Sequence, residues 1–489
     1  MKKIFIVFLI TLIFSGVCMA NSKIISSEPC EYRDVSCDAY NFECWVKDEI
    51  TYEQMLEDLE VFEYLIKNAY SGYKDIKQNG YDFEKMKLNI PFSSNSSVKS
   101  DELLSFFEKE LKPYICDFHF SLNGIKKQIS FRIPVKIFFS DIYLEKENDL
   151  YRVIKSNHNE IKIDDIYSDT KDYLFPYPSE GINIYRLGVL SKVENDQISK
   201  CINVMFGNNK ISVLCSLQNT YFHKESNTKY KEIVTEDSVY FYLPTLENPI
   251  IKTSDIEKYN SMYDRFITLP LRYKGKKNII IDLRDNHGGN DEYCQRFLAN
   301  LYFNNGNSEK NYKKFKKHIS FYSINLFSPP VLQAMKWEAK NYGQEFEHNF
   351  NIIYNFMKRN NFNKLEIENS WKGITKKIDF TGKLILIIDK NTCSSGESFV
   401  YLANPLFEEG KNLYYLGENS AGCFNYGNVH YYQLPNSGIT LTLASFKMEK
   451  ALIKEMVGYL PDYWATNDDV EKALVNITRD EELVEKLNK

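Results

Sequence analysis

The chain has 489 residues, 43% of them hydrophobic and 26% charged, an ordinary globular balance with enough apolar material for more than one core. A net charge of −5 gives no electrostatic basis for binding nucleic acid. After the first twenty residues no stretch approaches the roughly 20 apolar residues of a membrane span.

Lys2-Lys3, an apolar run from Ile4 to Phe14 and small residues up to Ala20 have the layout of a secretory signal. Residues 1–20 are therefore predicted to be removed after Ala20, leaving an exported protein, periplasmic or extracellular, with no membrane span. Lipid anchoring at Cys18 fits less well, because Val17 is bulkier than such sites accept. Nine cysteines remain after Cys18, an odd number that leaves at least one unpaired in an oxidising compartment. Cys201 and Cys215 flank "INVMFGNNKISVL", two apolar runs joined by Gly-Asn-Asn, which predicts a disulfide across a hairpin. Cys30, Cys37 and Cys44 recur every seven residues, too far apart for paired metal ligands, and read as a local disulfide.

Residues 21–125 are predicted to be a cysteine-containing segment followed by a helical subdomain. Apolar residues at three- and four-residue steps predict an amphipathic helix from Thr51 to about Asn89, and a second covers Asp101 to Leu111. Residues 126–235 change to short β-type runs separated by Asn, Asp, Ser and Gly, which predicts a β-rich module acting as a cap. Residues 236–489 alternate strands with helices, which favours an α/β core with a partly parallel sheet. A Lys/Asn-rich helical insertion is predicted near 302–377.

Two segments of that core carry chemistry. "KNIIIDLRDNHGG", Lys277 to Gly289, is a buried strand that delivers a glycine pair. "LILIIDKNTCSSGE", Leu384 to Glu397, is a buried strand that delivers a serine at the start of a helix. Backbone N–H groups free of Cβ obstruction, set against a hydroxyl at a helix N-terminus, are the two halves of an acyl-transfer site. The pattern points to a serine hydrolase that needs no metal or organic cofactor. Ser394 is the candidate nucleophile, with Ser395 a rival on the same turn; Gly288, Gly289 and Ser395 are the candidate oxyanion donors. The plain alternative is that Ser394 caps the helix, since Ser394 and Glu397 fit a capping box. Of the seven histidines, His119 in the apolar alternation "YICDFHFSL" is best placed to be held still and neutral. His287 and His430 stay open as other bases, whereas His158, His223, His318 and His348 lie in polar surroundings.

"IIIDLRDNHGG", "LILIIDKNTCSSGESFVYL", "YLGENSAG" and "GYLPDYW", in that order, resemble the C-terminal-processing (tail-specific) serine peptidase family. The resemblance covers Ser238 to Leu474, and Thr51 to Leu122 more loosely. It implies a crotonase-like β/α core, a protein or peptide substrate, Ser394 as nucleophile, and an oxyanion hole from Ser395 with Gly288 or Gly289. Family members with a Ser–Lys dyad carry a lysine where this chain has Cys423. The resemblance is therefore to the tricorn-like branch, which takes a histidine from the N-terminal part, here His119 in "CDFHFS", and a downstream glutamate, here Glu449 or Glu418. Relatives often carry a PDZ domain where the β-rich module lies. Cys393 and Cys423 suggest a disulfide beside the site or a thiol within it. The resulting expectation is an exported serine endopeptidase, with a non-catalytic binding protein on the same scaffold, or a non-peptidase acyl hydrolase, as the alternatives.

Overall fold

The computed structural model describes residues 22–35, 46–124, 127–131, 133–169, 171–193, 197–217, 229–247, 255–303, 306–316, 322–342, 344–370, 378, 380–408, 410–449 and 453–488. Residues 1–20 with Cys18, together with Cys37, Cys44, His223 and His318, lie outside the described residues.

At the centre is a six-stranded sheet that runs, edge to edge, Lys231–Val234, Ser238–Tyr242, Asn278–Asp282, Lys383–Ile388, Leu413–Gly417 and Tyr463–Trp464. Only the first pairing is antiparallel; the remaining four are parallel. Parallel strands are covered on both faces, which is why these segments read as unbroken apolar runs. Alternate side chains serve opposite cores. Ile279, Ile281, Leu384, Leu386 and Ile388 pack with the helices Ile256–Arg272, Asp291–Phe303 and Ser395–Ala403. Ile280, Ile385 and Ile387 pack with Val470–Thr478 and Glu481–Leu487. Burying each such side chain stabilises the fold by roughly 1.5–3 kcal/mol. Phe399, in the helix that follows Ser394, meets Phe297 at 5.3 Å and Phe266 at 5.9 Å between ring centroids. The helix behind the candidate nucleophile is thus anchored in a buried aromatic cluster.

A second, antiparallel sheet gathers strands from both ends of the chain, in the order Ser22–Glu28, Lys364–Ser370, Tyr322–Phe327, Thr440–Met448, Ser121–Asn123 and Gln128–Ser130, with Tyr426–Gln433 also on Thr440–Met448. Ser121 pairs with Thr442 and Asn123 with Thr440. This pairing folds the N-terminal part back onto the C-terminal part. Two of these strands correct the reading of 302–377 as helical. Its helices Ser308–Phe315, Pro329–Tyr342 and Gln344–Arg359 are present, but "YSINLF" and "KLEIENS" are strands, because their neighbours in the sheet lie far off in sequence and supply the pairing. The helix from Thr51 is also shorter than expected. Thr51 and Gln54 close a capping box, and the helix ends at Ala69, where Gly72 lets the backbone fold over the Tyr70 ring. Two short helices, Tyr73–Gln78 and Phe83–Leu88, complete the stretch.

A third sheet is built from residues 135–217 and curls until Asn209–Leu217 meets Val135–Glu147 at Ser216 and Phe139. It enfolds its own core of Phe138, Leu144, Val153, Leu187, Val204 and Val213. It is joined to the C-terminal part of the chain where Val135 N donates to Met456 O at 3.0 Å, and where Asn419 Nδ2 donates to Val135 O at 2.9 Å and to Val457 O at 3.0 Å. Within this sheet the predicted Cys201–Cys215 disulfide is not formed. Lys200 lies opposite Cys215 and Cys201 opposite Leu214, so the one-residue offset turns Cys215 into the core and Cys201 to solvent. Thiol labelling of the native protein is therefore expected to modify Cys201 and spare Cys215 until the protein is unfolded. A peptide linking the two, recovered without reduction, would contradict this register.

Candidate active site

Ser394 follows the strand Lys383–Ile388 and a turn held by one buried carboxylate. Asp389 Oδ1 accepts from Asn391 N (3.0 Å), Thr392 N (2.9 Å) and Asp285 N (3.2 Å), and Thr392 Oγ1 donates to Leu283 O (2.8 Å). Burial nonetheless pushes Asp389 up to about 6. The turn forces Ser394 to φ 51° and ψ −118°, a conformation that side chains adopt only under constraint. Strained serines at a strand-to-helix turn present their hydroxyl outward. The Ser394 hydroxyl does not cap the helix and has no hydrogen-bond partner among the described residues. The helix-cap reading therefore fails for its side chain. Ser395, the rival, donates its hydroxyl to Gly289 O at 2.8 Å.

The glycine pair lies directly against this turn. A Cβ on Gly288 would sit 2.7 Å from Ser394 Cβ and 2.8 Å from Ser395 N, and one on Gly289 would fall 2.0 Å from Leu246 O. Both have left-handed φ, 94° and 137°. Asn286 sets the loop: its carbonyl accepts from Cys393 N at 3.0 Å, and its Oδ1 accepts from Gly288 N at 2.9 Å. The Gly288 N–H is thereby occupied. The N–H groups of Gly289 and Ser395 have no hydrogen-bond partner among the described residues.

His119 reaches this region through the Ser121–Thr442 pairing, and Thr442 Oγ1 donates to His119 O at 2.9 Å. Its ring rests on Cys423, with Sγ 3.2 Å from Nε2 and 3.5 Å from Nδ1. The Cys423 carbonyl in turn accepts from Ser394 N at 3.1 Å. Cys423 therefore stands between the early imidazole and the late serine, so a basic residue remote in sequence adjoins this thiol. Burial holds the Cys423 thiol well above its ordinary range, as the neutral thiol.

Three carboxyl groups crowd the same spot. Asp117 is fully buried; its Oδ1 accepts from His119 N at 2.8 Å and lies 3.9 Å from His119 Nδ1. Glu455 accepts from Phe118 N and from Asn425 N, each at 3.0 Å, and is pushed up to about 8 by burial and then by the charge of Asp117. Glu397 accepts from the Ser420 hydroxyl and from the N–H groups of Gly422 (2.9 Å) and Cys423 (2.6 Å), and burial pushes it up to about 7.

The acidic residues expected from sequence lie elsewhere. Glu449 makes its polar contacts with Lys447, at 3.4 Å, and with Tyr322 O, while Glu418 is buried near Lys390. The carboxyls that contact His119 and the backbone beside it are Asp117 and Glu455. Asp117 could have been found as the acid two residues before His119; Glu455 left no local signal. His287 is exposed beside the glycine pair, and His430 is occupied by Glu338 (2.9 Å) and Ser445 (3.0 Å). His158 bonds to Ser212 O, and His348 is exposed. Among the described residues no cluster of three or more His, Cys, Asp or Glu is arranged to hold a metal ion, and no helix is long and apolar enough to cross a membrane.

Residues 249–463 match the model of Peptidase family S41. No curated protein sequence matches the chain. Among solved structures, mature CPAF complexed with lactacystin is similar at 12% identity over 89% of this chain and 98% of that chain, with a TM-score of 0.42. The photosystem II D1 C-terminal processing protease is similar at 10% identity over 85% and 94%, with a TM-score of 0.36. Tricorn protease is similar at 15% identity over 89% and 37%, with a TM-score of 0.35. At such scores none of the three bears on the role of any residue.

Two outcomes follow from this geometry. Gly288→Ala should cost both fold stability and turnover, since its methyl would strike the backbone of the serine turn; wild-type hydrolysis by this variant would contradict the placement. Glu397 and Glu455 bind protons more tightly folded than unfolded, so their contribution to stability is full below about pH 4.5 and lost as pH rises through about 7 and 8. Asp282, held low by Arg284 against its own burial, loses its contribution only at more acid pH. The urea midpoint should therefore fall between pH 5 and 8.5, and fall less in Glu455→Gln; a midpoint rising across that window would refute the assignment.

Proposed function

Because residues 249–463 match the model of Peptidase family S41, we propose that the chain is an exported serine-type endopeptidase of the C-terminal-processing kind, using Ser394 and His119. The observation that carries this reading is the strained Ser394, its hydroxyl unengaged, packed against Gly288.

In this scheme His119 takes the Ser394 proton as the hydroxyl attacks a peptide carbonyl. The unpartnered N–H groups of Gly289 and Ser395 receive the oxyanion, each worth about 3–4 kcal/mol in the transition state. Gly288 contributes by its lack of a side chain, which lets the turn and the donor loop touch. The imidazolium that forms lies beside Asp117, with Glu455 behind it, so a buried positive charge finds compensation where it develops. His119 returns the proton to the leaving amine, then activates the water that releases the acyl group from Ser394. At rest the ring leans on Cys423, and catalytic hydrogen bonds of this kind commonly tighten only with substrate bound. A buried Cys423 held as the neutral thiol supports the serine, not the cysteine, as nucleophile. Export rests on the layout of residues 1–20, and a preference for chain ends on the family.

A fluorophosphonate probe should form its adduct on Ser394, located by peptide mapping. Ser394→Ala should lower kcat by about four to six orders of magnitude with an unaltered thermal transition. His119→Gln should lower it by roughly four. An adduct on Ser395, or turnover surviving Ser394→Ala, would displace Ser394. Peptides with a free C-terminus should be cleaved faster than their amidated forms; equal rates would remove the tail-specific part of the proposal alone.

A further inference from the structure

Two thiols at the site take no part in that chemistry. Cys393 directly precedes the nucleophile, and Cys423 supports the base. Their side chains share one small apolar cluster with Phe118, Ala421 and Met456. Their backbones are tied as well: Ala421 N donates to Thr392 O at 2.9 Å and Ser394 N to Cys423 O at 3.1 Å. The two differ in access. Cys393 retains 8% exposure next to the half-buried Ser394, whereas Cys423 retains none.

We propose that Cys393 and Cys423 form a two-thiol oxidation site, converted by a peroxide to a disulfide that reversibly switches off the peptidase. Cys393, the less buried of the two, is the thiol a small oxidant meets first. Its sulfur attacks one peroxide oxygen, the O–O bond breaks, and Cys393 becomes a sulfenic acid with release of water. The Cys423 sulfur then attacks the Cys393 sulfur while His119 takes the Cys423 proton and passes it to the departing hydroxide, which leaves as a second water. The sum is two thiols and one hydrogen peroxide giving one disulfide and two waters. A disulfide holds its sulfurs near 2.05 Å, roughly 1.5 Å closer than two thiols in contact. That closure draws Cys423 off the imidazole and pulls on the turn that strains Ser394. A displacement of about 1 Å at such a site lowers turnover on the order of 100-fold.

The readout of activity rests on the Ser394 reading, but the bond itself is scored without it. The full-length reduced protein is treated with hydrogen peroxide, digested without reduction and mapped by mass, with peptide hydrolysis followed in parallel. The expected result is a linked peptide joining Cys393 to Cys423, a fall in kcat of about 100-fold, and recovery of both by dithiothreitol. Cys393→Ala should keep whatever activity it has through the same treatment. No linked peptide, or a linked peptide with undiminished hydrolysis, would overturn the switch. Failure of reduced wild-type protein to take the fluorophosphonate at Ser394 would instead overturn the nucleophile and leave the mapped bond to be judged by itself.

Discussion

A single buried carboxylate fixes the spacing on which the site depends. Glu397, one turn into the helix after Ser394, receives the N–H groups of Gly422 and Cys423 and the hydroxyl of Ser420. It binds the start of that helix to the loop from Ser420 to Cys423. That loop carries the carbonyl that takes the Ser394 N–H and the sulfur on which His119 rests. Without Glu397, three buried donors would lose their acceptor, at a cost of about 1–3 kcal/mol each. The strained serine could then relax without resistance.

The parallel core was legible because burial on both faces writes itself into sequence as continuous apolar runs ending in small residues. This signal marked Ser394, Gly288 and Gly289 as candidates, and the structure sets Gly288 against Ser394. The choice of His119 rested on an apolar alternation and a loose motif, and its route to Cys423 depends on the pairing of Ser121 with Thr442, 321 residues apart. What was not legible shares one cause. The strands Tyr322–Phe327 and Lys364–Ser370 acquire their conformation from distant partners, so local composition reported only the helices between them. Cys201 and Cys215 look paired by spacing, but a one-residue offset in register decides which face each occupies. Glu455 has no motif because it acts through the backbone N–H groups of Phe118 and Asn425, which any residue would supply.

The acid groups around His119 also explain each other. Asp117 is buried without exposure, and its negative charge is one reason Glu455 resists ionisation. Desolvation makes several full charges in so small a volume costly. The resting site lowers that cost by keeping protons on part of the cluster. In the proposed scheme the imidazolium brings a positive charge beside Asp117 and shifts that balance.

The joint between the curled sheet of residues 135–217 and the loop bearing Glu455 gives the molecule a mechanical asymmetry. Val135 of the sheet bonds to Met456 and to Asn419, which also bonds to Val457, so the sheet is attached directly after Glu455. Met456 itself is pinned at a left-handed φ of 70°, so it has little slack with which to absorb motion. A twist of the sheet is therefore delivered first to the segment from Glu455 to Val457, which bears on the backbone beside the imidazole and, through Met456, on Cys393.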